Sequence, residues 1–233
     1  MDARLRIKSN TDELRATQEL IRRTFERFVP AQVVQELLEN PEQVQLGGQL
    51  QSITVCFADL EGFTSFSEDN DPQQVLTVLN QYHSLVIKHL QAQGGTIDKF
   101  LGDGVLALYN TPLSQPDHVS RSIQAALNIR QALPKFYEQL DPIFHLKINF
   151  GIHTGEALVG LVGADELMDY TAIGDTVNLA SRLEDLSHNG QILVSETVYQ
   201  LIAHQITAQC LGSHTVKNRT TPVTVYAIEG LRE

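Results

Sequence analysis

The chain has 233 residues, 42% of them hydrophobic, which suits one compact domain of about 150 to 200 residues plus an appendage. Its 17 Lys and Arg against 28 Asp and Glu give a formal net charge of -11, which argues against a nucleic-acid partner and makes any phosphate chemistry depend on local cations or metal ions. No stretch approaches the roughly 18 apolar residues of a membrane span and the start lacks a signal-peptide pattern, so we expect a soluble, cytoplasmic protein.

The N-terminal segment is predicted to be helical. Between residues 11 and 28, Leu14, Ile21 and Phe28 recur seven apart among polar residues, which indicates an amphipathic helix. The repeat is too short to establish a coiled coil, so packing against its own domain and pairing with a partner helix both remain open.

A second short helix, PAQVVQELLEN, is predicted to begin at Pro30, and the glycine pair at 47–48 marks a joint. The sequence therefore divides into an N-terminal helical, transducer-like segment at 1–45 and a main domain at 46–233.

The main domain begins with a strand, a helix and a hairpin. The run SITVCFA is typical of a strand covered on both faces. Asp71 and Pro72 are the N-cap and first residue of a helix that continues to the glycines at 94–95. Two strand-like runs, TIDKF and VLALYN, then flank LGDG, a hairpin turn.

A helix at about 118–137 follows, and after it the strand-like runs FHLKINFGIHT and ALVGLVG. The order strand, helix, strand, strand, helix, strand predicts an α+β fold with a ferredoxin-like βαββαβ core and helices on one face. The remaining third adds a helix at TVNLASRLEDLSH, the strand QILVS, a helix opened by Ser195, and a terminal strand pair around ITAQCL and PVTVYAI.

The two cysteines, Cys56 and Cys210, each lie in an apolar stretch, which predicts buried free thiols in a reducing compartment. The eight histidines include neither an HExxH motif nor a close His/Cys cluster, so a zinc site has little support. His153, a lone histidine near a strand end, is interpreted as structural.

Two carboxylates follow strand-like runs. Asp59 ends the first strand and Asp103 lies in the LGDG turn, so both should reach one edge of the sheet. Each could simply be a turn residue. Two unpaired carboxylates held close repel each other unless protons or cations intervene, and Mg²⁺ commonly takes one or two carboxylates together with substrate phosphates. We therefore expect a divalent metal site.

A second cluster lies in TAIGDTVNLASRLE. With Asp175 near the N-cap, Asn178 and Arg182 project from one helix face close to its positive end, a setting suited to an anionic phosphate. The alternative is a surface ion pair between Arg182 and Glu184 or Asp185.

Four stretches, FADLEGFTSFSE, DKFLGDGVLALY, GIHTGEALVG and YTAIGDTVNLASRLE, resemble, in order, those of the class III nucleotidyl cyclases, and the resemblance covers about residues 50–230. It implies a head-to-tail homodimer with two composite active sites, in which ATP becomes 3',5'-cyclic AMP and pyrophosphate. Asp59, Asp103 and the Leu60 carbonyl would bind two Mg²⁺ or Mn²⁺ ions. Asn178 would position the ribose and Arg182 would stabilise charge on the α-phosphate.

The resemblance also assigns the base. Lys99 and Thr171 look like the adenine-specific pair, whereas guanine-specific members typically carry Glu and Cys there. A Lys can donate to adenine N1, and a Thr hydroxyl can accept from the 6-amino group.

Other substrate contacts are implied for Phe63 and Thr64 in the first motif, and for Arg219, which stands where many relatives have a Lys that contacts the triphosphate. Arg keeps the charge but replaces a point charge with a planar fork, and Lys217 is an alternative.

Three other functions remain open: a guanylyl cyclase, an inactive nucleotide-binding or dimerisation module, and a polymerase-like or cyclic-dinucleotide-forming enzyme. The resemblance further suggests an upstream sensor domain that signals through residues 11–45.

Overall fold

The computed structural model describes residues 17–20, 34, 46–216 and 221–232. The chain forms two compact units, Met1–Gln45 and Leu46–Glu233. In the first unit residues 17–20 are helical, and the rest of the predicted helix and the whole segment PAQVVQELLEN, apart from residue 34, lie outside the described residues.

The second unit alternates strands and helices. The strands are Gly47–Leu60 (β1), Thr96–Leu101 (β2), Gly104–Tyr109 (β3), Ile148–Ala164 (β4), Leu167–Ile173 (β5), Ile192–Ser195 (β6), Ile206–His214 (β7) and Val223–Leu231 (β8). The α-helices are Phe63–Asp69 (α1), Pro72–Ala92 (α2), His118–Tyr137 (α3), Asp175–Leu186 (α4) and Glu196–Ile202 (α5), and Pro142–Phe144 forms a 3-10 turn.

The strands form one sheet in the order β2-β3-β1-β4-β6-β8-β7, with β5 paired to β4 off this path. β1 lies between β3 and β4 and is antiparallel to both, so the ferredoxin-like core is confirmed. The INFGIHT part of the first predicted run and the run ALVGLVG belong to a single strand of 17 residues, β4, whereas the preceding FHLK lies outside it. Its length follows from β1, which pairs with β4 without interruption from Leu60 to Gly47.

Both faces of β1 are largely buried over residues 53–60, as its uninterrupted apolar run predicts, whereas residues 47–50 and 52 are exposed. Cys56, Ala58 and Leu60 join the core beneath α2, α3 and α5. Ile53 and Val55 pack in a second cluster with residues of β3, β4, β5 and α4. The extra helix α4 therefore covers the sheet face opposite to the two core helices.

Helix α2 shows how the sequence builds the first face. Its buried residues recur at every fourth position, namely Val78, Tyr82, Val86 and Leu90. Asp71 accepts hydrogen bonds from the Gln73 and Gln74 amides at its start. None of the helices within the described residues combines the length and apolar character needed to cross a bilayer.

The two cysteines differ in environment. Cys56 is fully buried and free, and burial raises the pKa of its thiol to about 12. Cys210 is also free but exposed, so the prediction of burial was wrong for it. It lies on β7, the last strand of the sheet, next to a break in the pairing register with β8 between Cys210 and Gly212.

Candidate active site

Asp59 and Asp103 meet at one end of the sheet. The pairing of Ala58 with Val105 sets the end of β1 beside the β2–β3 turn. Gly104 opens the space between them, because a Cβ at this position would lie 2.7 Å from Asp59 Oδ1. Strand register, rather than proximity in sequence, thus brings the two carboxyl groups together.

The environment of Asp59 is unfavourable for a lone charge. Burial, followed by repulsion from Asp103 and a hydrogen bond with its carboxyl group, raises the pKa of Asp59 to about 7. Near neutral pH the pair therefore either retains a proton or accepts a cation. That is the electrostatic condition under which a divalent metal ion binds well.

The turn that carries Asp103 is held from helix α2. His83 Nε2 donates a hydrogen bond to the Asp103 carbonyl oxygen over 3.1 Å, and the His83 ring lies 4.7 Å from the Phe100 ring. Burial lowers the pKa of His83, so the neutral ring is favoured. The sequence had given no reason to select this histidine, because it lies inside an ordinary amphipathic helix.

A third acidic side chain, Glu184 of α4, approaches the pair. It can do so because Gly151 of β4 lacks a side chain: a Cβ there would be 2.2 Å from the Ala180 carbonyl oxygen and from the Glu184 amide nitrogen. Burial, then repulsion from Asp59, raises the pKa of Glu184 to about 8. From the sequence, Glu184 was considered only as a surface partner of Arg182.

Helix α4 also carries Asn178 and Arg182, one turn apart. Asn178 is exposed, and the Arg182 side chain is 30% exposed. Arg182 Nη1 lies 3.0 Å from Asp185 Oδ2, so one of the ion pairs considered from the sequence is present. An ion pair as exposed as Arg182–Asp185 contributes only about 0 to 1 kcal/mol, so the Arg182 guanidinium stays available to an anionic ligand.

Lys99 of β2 and Thr171 of β5 are joined by a residue that the sequence did not single out. The Thr171 hydroxyl donates a 2.6 Å hydrogen bond to Asp98 Oδ2, and Lys99 Nζ lies 3.5 Å from Asp98 Oδ1. β5 pairs with β4, and its Ala172 belongs to the second core cluster together with Leu106 of β3, so β5 also contacts the β2–β3 hairpin.

The remaining candidates have diverse settings. Phe63 and Thr64 begin α1 directly after Gly62, whose φ of 75° gives the left-handed turn at the end of β1. The Phe63 ring is partly buried and lies 5.9 Å from that of Phe66, whereas Thr64 is exposed. The Leu60 side chain belongs to the core, so only its backbone could face a ligand.

His153 is 9% exposed, and its Nδ1 lies 2.7 Å from Ser195 Oγ, which fits its interpretation as a structural residue. Arg219 and the alternative Lys217 lie outside the described residues.

The donor set at Asp59 and Asp103 fits Mg²⁺ or Mn²⁺. Within residues 46–216 and 221–232, no three His, Cys, Asp or Glu side chains are arranged to hold a metal ion by themselves. Two carboxylates with open positions match the way in which Mg²⁺ is shared between protein and substrate phosphates. They do not match a closed structural metal site.

Residues 47–230 match the family model of the adenylate and guanylate cyclase catalytic domain. Among curated proteins, "Adenylate cyclase 1" of Rhizobium meliloti is 34% identical over 212 residues, which are 89% of this chain and 32% of that protein. The chain thus spans about a third of the length of this relative and of the Anabaena cylindrica adenylate cyclase, of which it covers 36%.

Solved structures of cyclases are also similar to this chain. The adenylyl cyclase CyaB from P. aeruginosa is similar with a TM-score of 0.76 and 36% identity, over 81% of this chain and 98% of that one. The guanylyl cyclase Cya2 is similar with a TM-score of 0.76 and 34% identity, over 81% and 96%.

Proposed function

The chain belongs to the family of adenylate and guanylate cyclase catalytic domains, and from this premise we propose that it is an adenylyl cyclase that converts ATP into 3',5'-cyclic AMP and pyrophosphate. One observation carries the proposal: Asp59 and Asp103 converge at the end of β1, where burial and then repulsion from Asp103 raise the pKa of Asp59 to about 7. An enzyme that handles a triphosphate with metal ions needs such a site.

In the proposed mechanism, Asp59 and Asp103, with the Leu60 carbonyl, would hold two divalent ions, Mg²⁺ or Mn²⁺. Bound ions of this kind supply activation of the attacking ribose 3'-oxygen and neutralisation of the pyrophosphate leaving group. The 3'-oxygen attacks the α-phosphorus, and the bond from that phosphorus to the bridging oxygen of pyrophosphate breaks.

The chain's other residues would orient the substrate and stabilise charge. Asn178 positions the ribose, and the Arg182 guanidinium stabilises the charge that develops on the α-phosphate. We propose that these two residues act on the substrate held by the carboxylates of a second copy, so that a homodimer has two composite sites.

Lys99 and Thr171 support adenine as the base, since they offer a donor for N1 and an acceptor for the 6-amino group. A guanylyl cyclase is the second candidate, because the similarity to the guanylyl cyclase Cya2 equals that to CyaB in TM-score.

The first experiment incubates purified protein with ATP or GTP and Mn²⁺ or Mg²⁺ and measures cyclic nucleotide and pyrophosphate. We expect cyclic AMP as the main product, and no activity from Asp59→Asn or Asp103→Asn. Asp117→Asn, which removes an exposed carboxylate paired with Arg121, is the matched control and should retain activity. Full activity in both site variants would refute the metal assignment, and faster GTP turnover would favour the second candidate.

The second experiment tests the shared site by mixing inactive variants. A heterodimer of an Asp59→Asn subunit and an Asn178→Ala subunit contains one site with all four groups intact. Activity per heterodimer should therefore return to about half that of the unmodified dimer, counting one of two sites. No recovery, with heterodimers verified by differential tagging, would place the whole site within one chain.

A further inference from the structure

Asp98 lies between the two residues that we assign to base recognition. Its carboxylate accepts the Thr171 hydroxyl proton at 2.6 Å on one oxygen, and Lys99 Nζ lies 3.5 Å from the other. The Asp98 side chain is only 1% exposed, whereas that of Lys99 is 36% exposed. A buried carboxylate with two specific partners at a binding surface is an unusual and costly arrangement.

The placement of Asp98 depends on an irregularity in the hairpin. Along the β2–β3 ladder, Ile97 pairs with Ala107 and Lys99 pairs with Leu106, so Asp98 is an extra residue without a partner on β3. Such a bulge breaks the strict alternation of side chains along a strand and changes where one of them points. Asp98 can therefore contact Thr171 while the next residue, Lys99, remains beside it.

We propose that Asp98 is a specificity-determining positioning residue, which accepts the single hydroxyl proton of Thr171 and so fixes that hydroxyl as a hydrogen-bond acceptor toward the purine 6-position. The proposal rests on the proposed function, because it assigns Thr171 to the base.

The chemistry of the hydroxyl gives the direction of the selectivity. A Thr hydroxyl has one proton and two lone pairs, and an ionised carboxylate can only accept. Although burial raises the pKa of Asp98, each of its carboxylate oxygens faces a donor: the Thr171 hydroxyl donates to Oδ2 at 2.6 Å and Lys99 Nζ lies 3.5 Å from Oδ1, and both contacts oppose that rise. The Thr171 proton is therefore committed to Asp98, and what Thr171 can then offer a base is a lone pair.

A lone pair at this position discriminates between two classes of purine. The 6-amino group of adenine donates to it, whereas the 6-oxo group of guanine or hypoxanthine presents a second acceptor and is repelled. Without Asp98 the hydroxyl could rotate and donate to a 6-oxo group. Asp98 would thus make Thr171 selective although it does not touch the base itself.

The test compares kcat/KM for ATP and inosine triphosphate, which differ at the 6-position and in the N1 proton that accompanies the 6-oxo group, without the extra 2-amino group of guanine. In Asp98→Ala we expect the ATP-to-inosine ratio to fall roughly tenfold, the factor that one hydrogen bond of about 1.4 kcal/mol supplies. Asp98→Asn keeps the volume but offers Thr171 either an oxygen or an N–H, so it should lower the ratio too. This variant serves if Asp98→Ala does not fold.

Two controls separate this role from a structural one. In a Thr171→Val background, Asp98→Ala should leave the ratio unchanged, because the hydroxyl through which it acts is gone. Asp141→Ala removes an unrelated carboxylate, which caps the 3-10 turn by accepting from the Ile143 amide. It should not alter the ATP-to-inosine ratio even if it lowers the melting temperature. An equal loss for both nucleotides in the Asp98 variants, or an undiminished effect in the Thr171→Val background, would overturn the inference.

Failure of the proposed function gives a different result. A protein that turns over neither nucleotide refutes the cyclase assignment, and equilibrium binding of 3'-deoxyATP and 3'-deoxyinosine triphosphate then measures the same selectivity. A binding preference for the 6-amino purine that Asp98→Ala abolishes would support the role of Asp98. Equal binding of both, or of neither, would overturn it.

Discussion

Gly104 provides the space that the Asp59 carboxylate occupies, since a Cβ at position 104 would lie 2.7 Å from Asp59 Oδ1. Glycine is therefore needed at position 104 so that the Asp59 carboxylate can approach the backbone closely, in addition to any role in the hairpin turn. A Cβ added at Gly104 would meet the end of the Asp59 side chain, which can rotate away. Substitution of Gly104 should therefore affect activity more than stability.

We expect Gly104→Ala to lower cyclase activity by roughly tenfold or more, since even a small displacement of a positioned group is costly to catalysis. The free energy of unfolding should change by less than about 1 kcal/mol, because Asp59 can move away. Activity titrated against Mn²⁺ and a urea melt measure the two effects. Gly230→Ala, where a Cβ meets nothing within 4 Å, is the control. Normal activity in the Gly104→Ala variant would contradict the tight packing of this site.

Gly151→Ala should act mainly on stability. Its Cβ would be 2.2 Å from backbone atoms of α4, and backbone cannot rotate away as a side chain can. We expect a loss of roughly 2 to 3 kcal/mol in the free energy of unfolding, typical of overpacking. Activity should fall as well, because α4 carries Asn178 and Arg182. A stability loss under about 0.5 kcal/mol, the usual range for neutral substitutions, would mean that α4 does not pack this closely.

The two raised pKa values predict how stability depends on pH when no metal is bound. Asp59 and Glu184 have pKa values of about 7 and about 8 in the folded chain, against about 4 for ordinary carboxyl groups. The folded state thus binds more protons than the unfolded state between these values. The stability that protonated Asp59 and Glu184 contribute is fully present below about pH 4 and is lost as the pH rises to about 8.

Denaturant melts in the presence of a chelator should therefore show stability from these groups declining from about pH 5 to about pH 8. Glu184→Gln removes one of them and should flatten the decline, while the exposed Glu138→Gln should not. Identical pH profiles for the unmodified chain and Glu184→Gln would show that Glu184 is neither buried nor held against Asp59.

Arg182 and Asp185 allow a charge role to be separated from a structural one. Arg182→Ala should reduce turnover by roughly 10²-fold, as for other groups that stabilise transition-state charge, with little change in KM. Asp185→Asn breaks the same ion pair, yet should leave turnover within about threefold because exposed pairs contribute little. Steady-state kinetics on both variants decides the matter, and equal losses in the two would assign importance to the pair itself.

The order of elements and the candidate residues were accessible from the sequence. The apolar run of β1, the LGDG hairpin and the Asp71-Pro72 start of α2 are local patterns, which depend on the preferences of their own segments. They predicted the ferredoxin-like core. The residue patterns indicated Asp59, Asp103, Asn178 and Arg182 as site residues, and the resemblance to class III cyclases added Lys99 and Thr171. The roles of these residues stay predictions until the variants are measured.

The tertiary structure alone decided which further side chains join them. Asp98 reaches Thr171 across 73 positions of sequence through a bulge, and Glu184 reaches Asp59 because Gly151 admits a helix to the opposite face of the sheet. Cys210 is exposed although it lies in an apolar stretch, and its strand is the last in the sheet. Local periodicity shows which side of each segment is apolar and which is polar. Register, bulges and strand order arise instead from contacts between distant segments, and it is these contacts that determine where a charged group is buried.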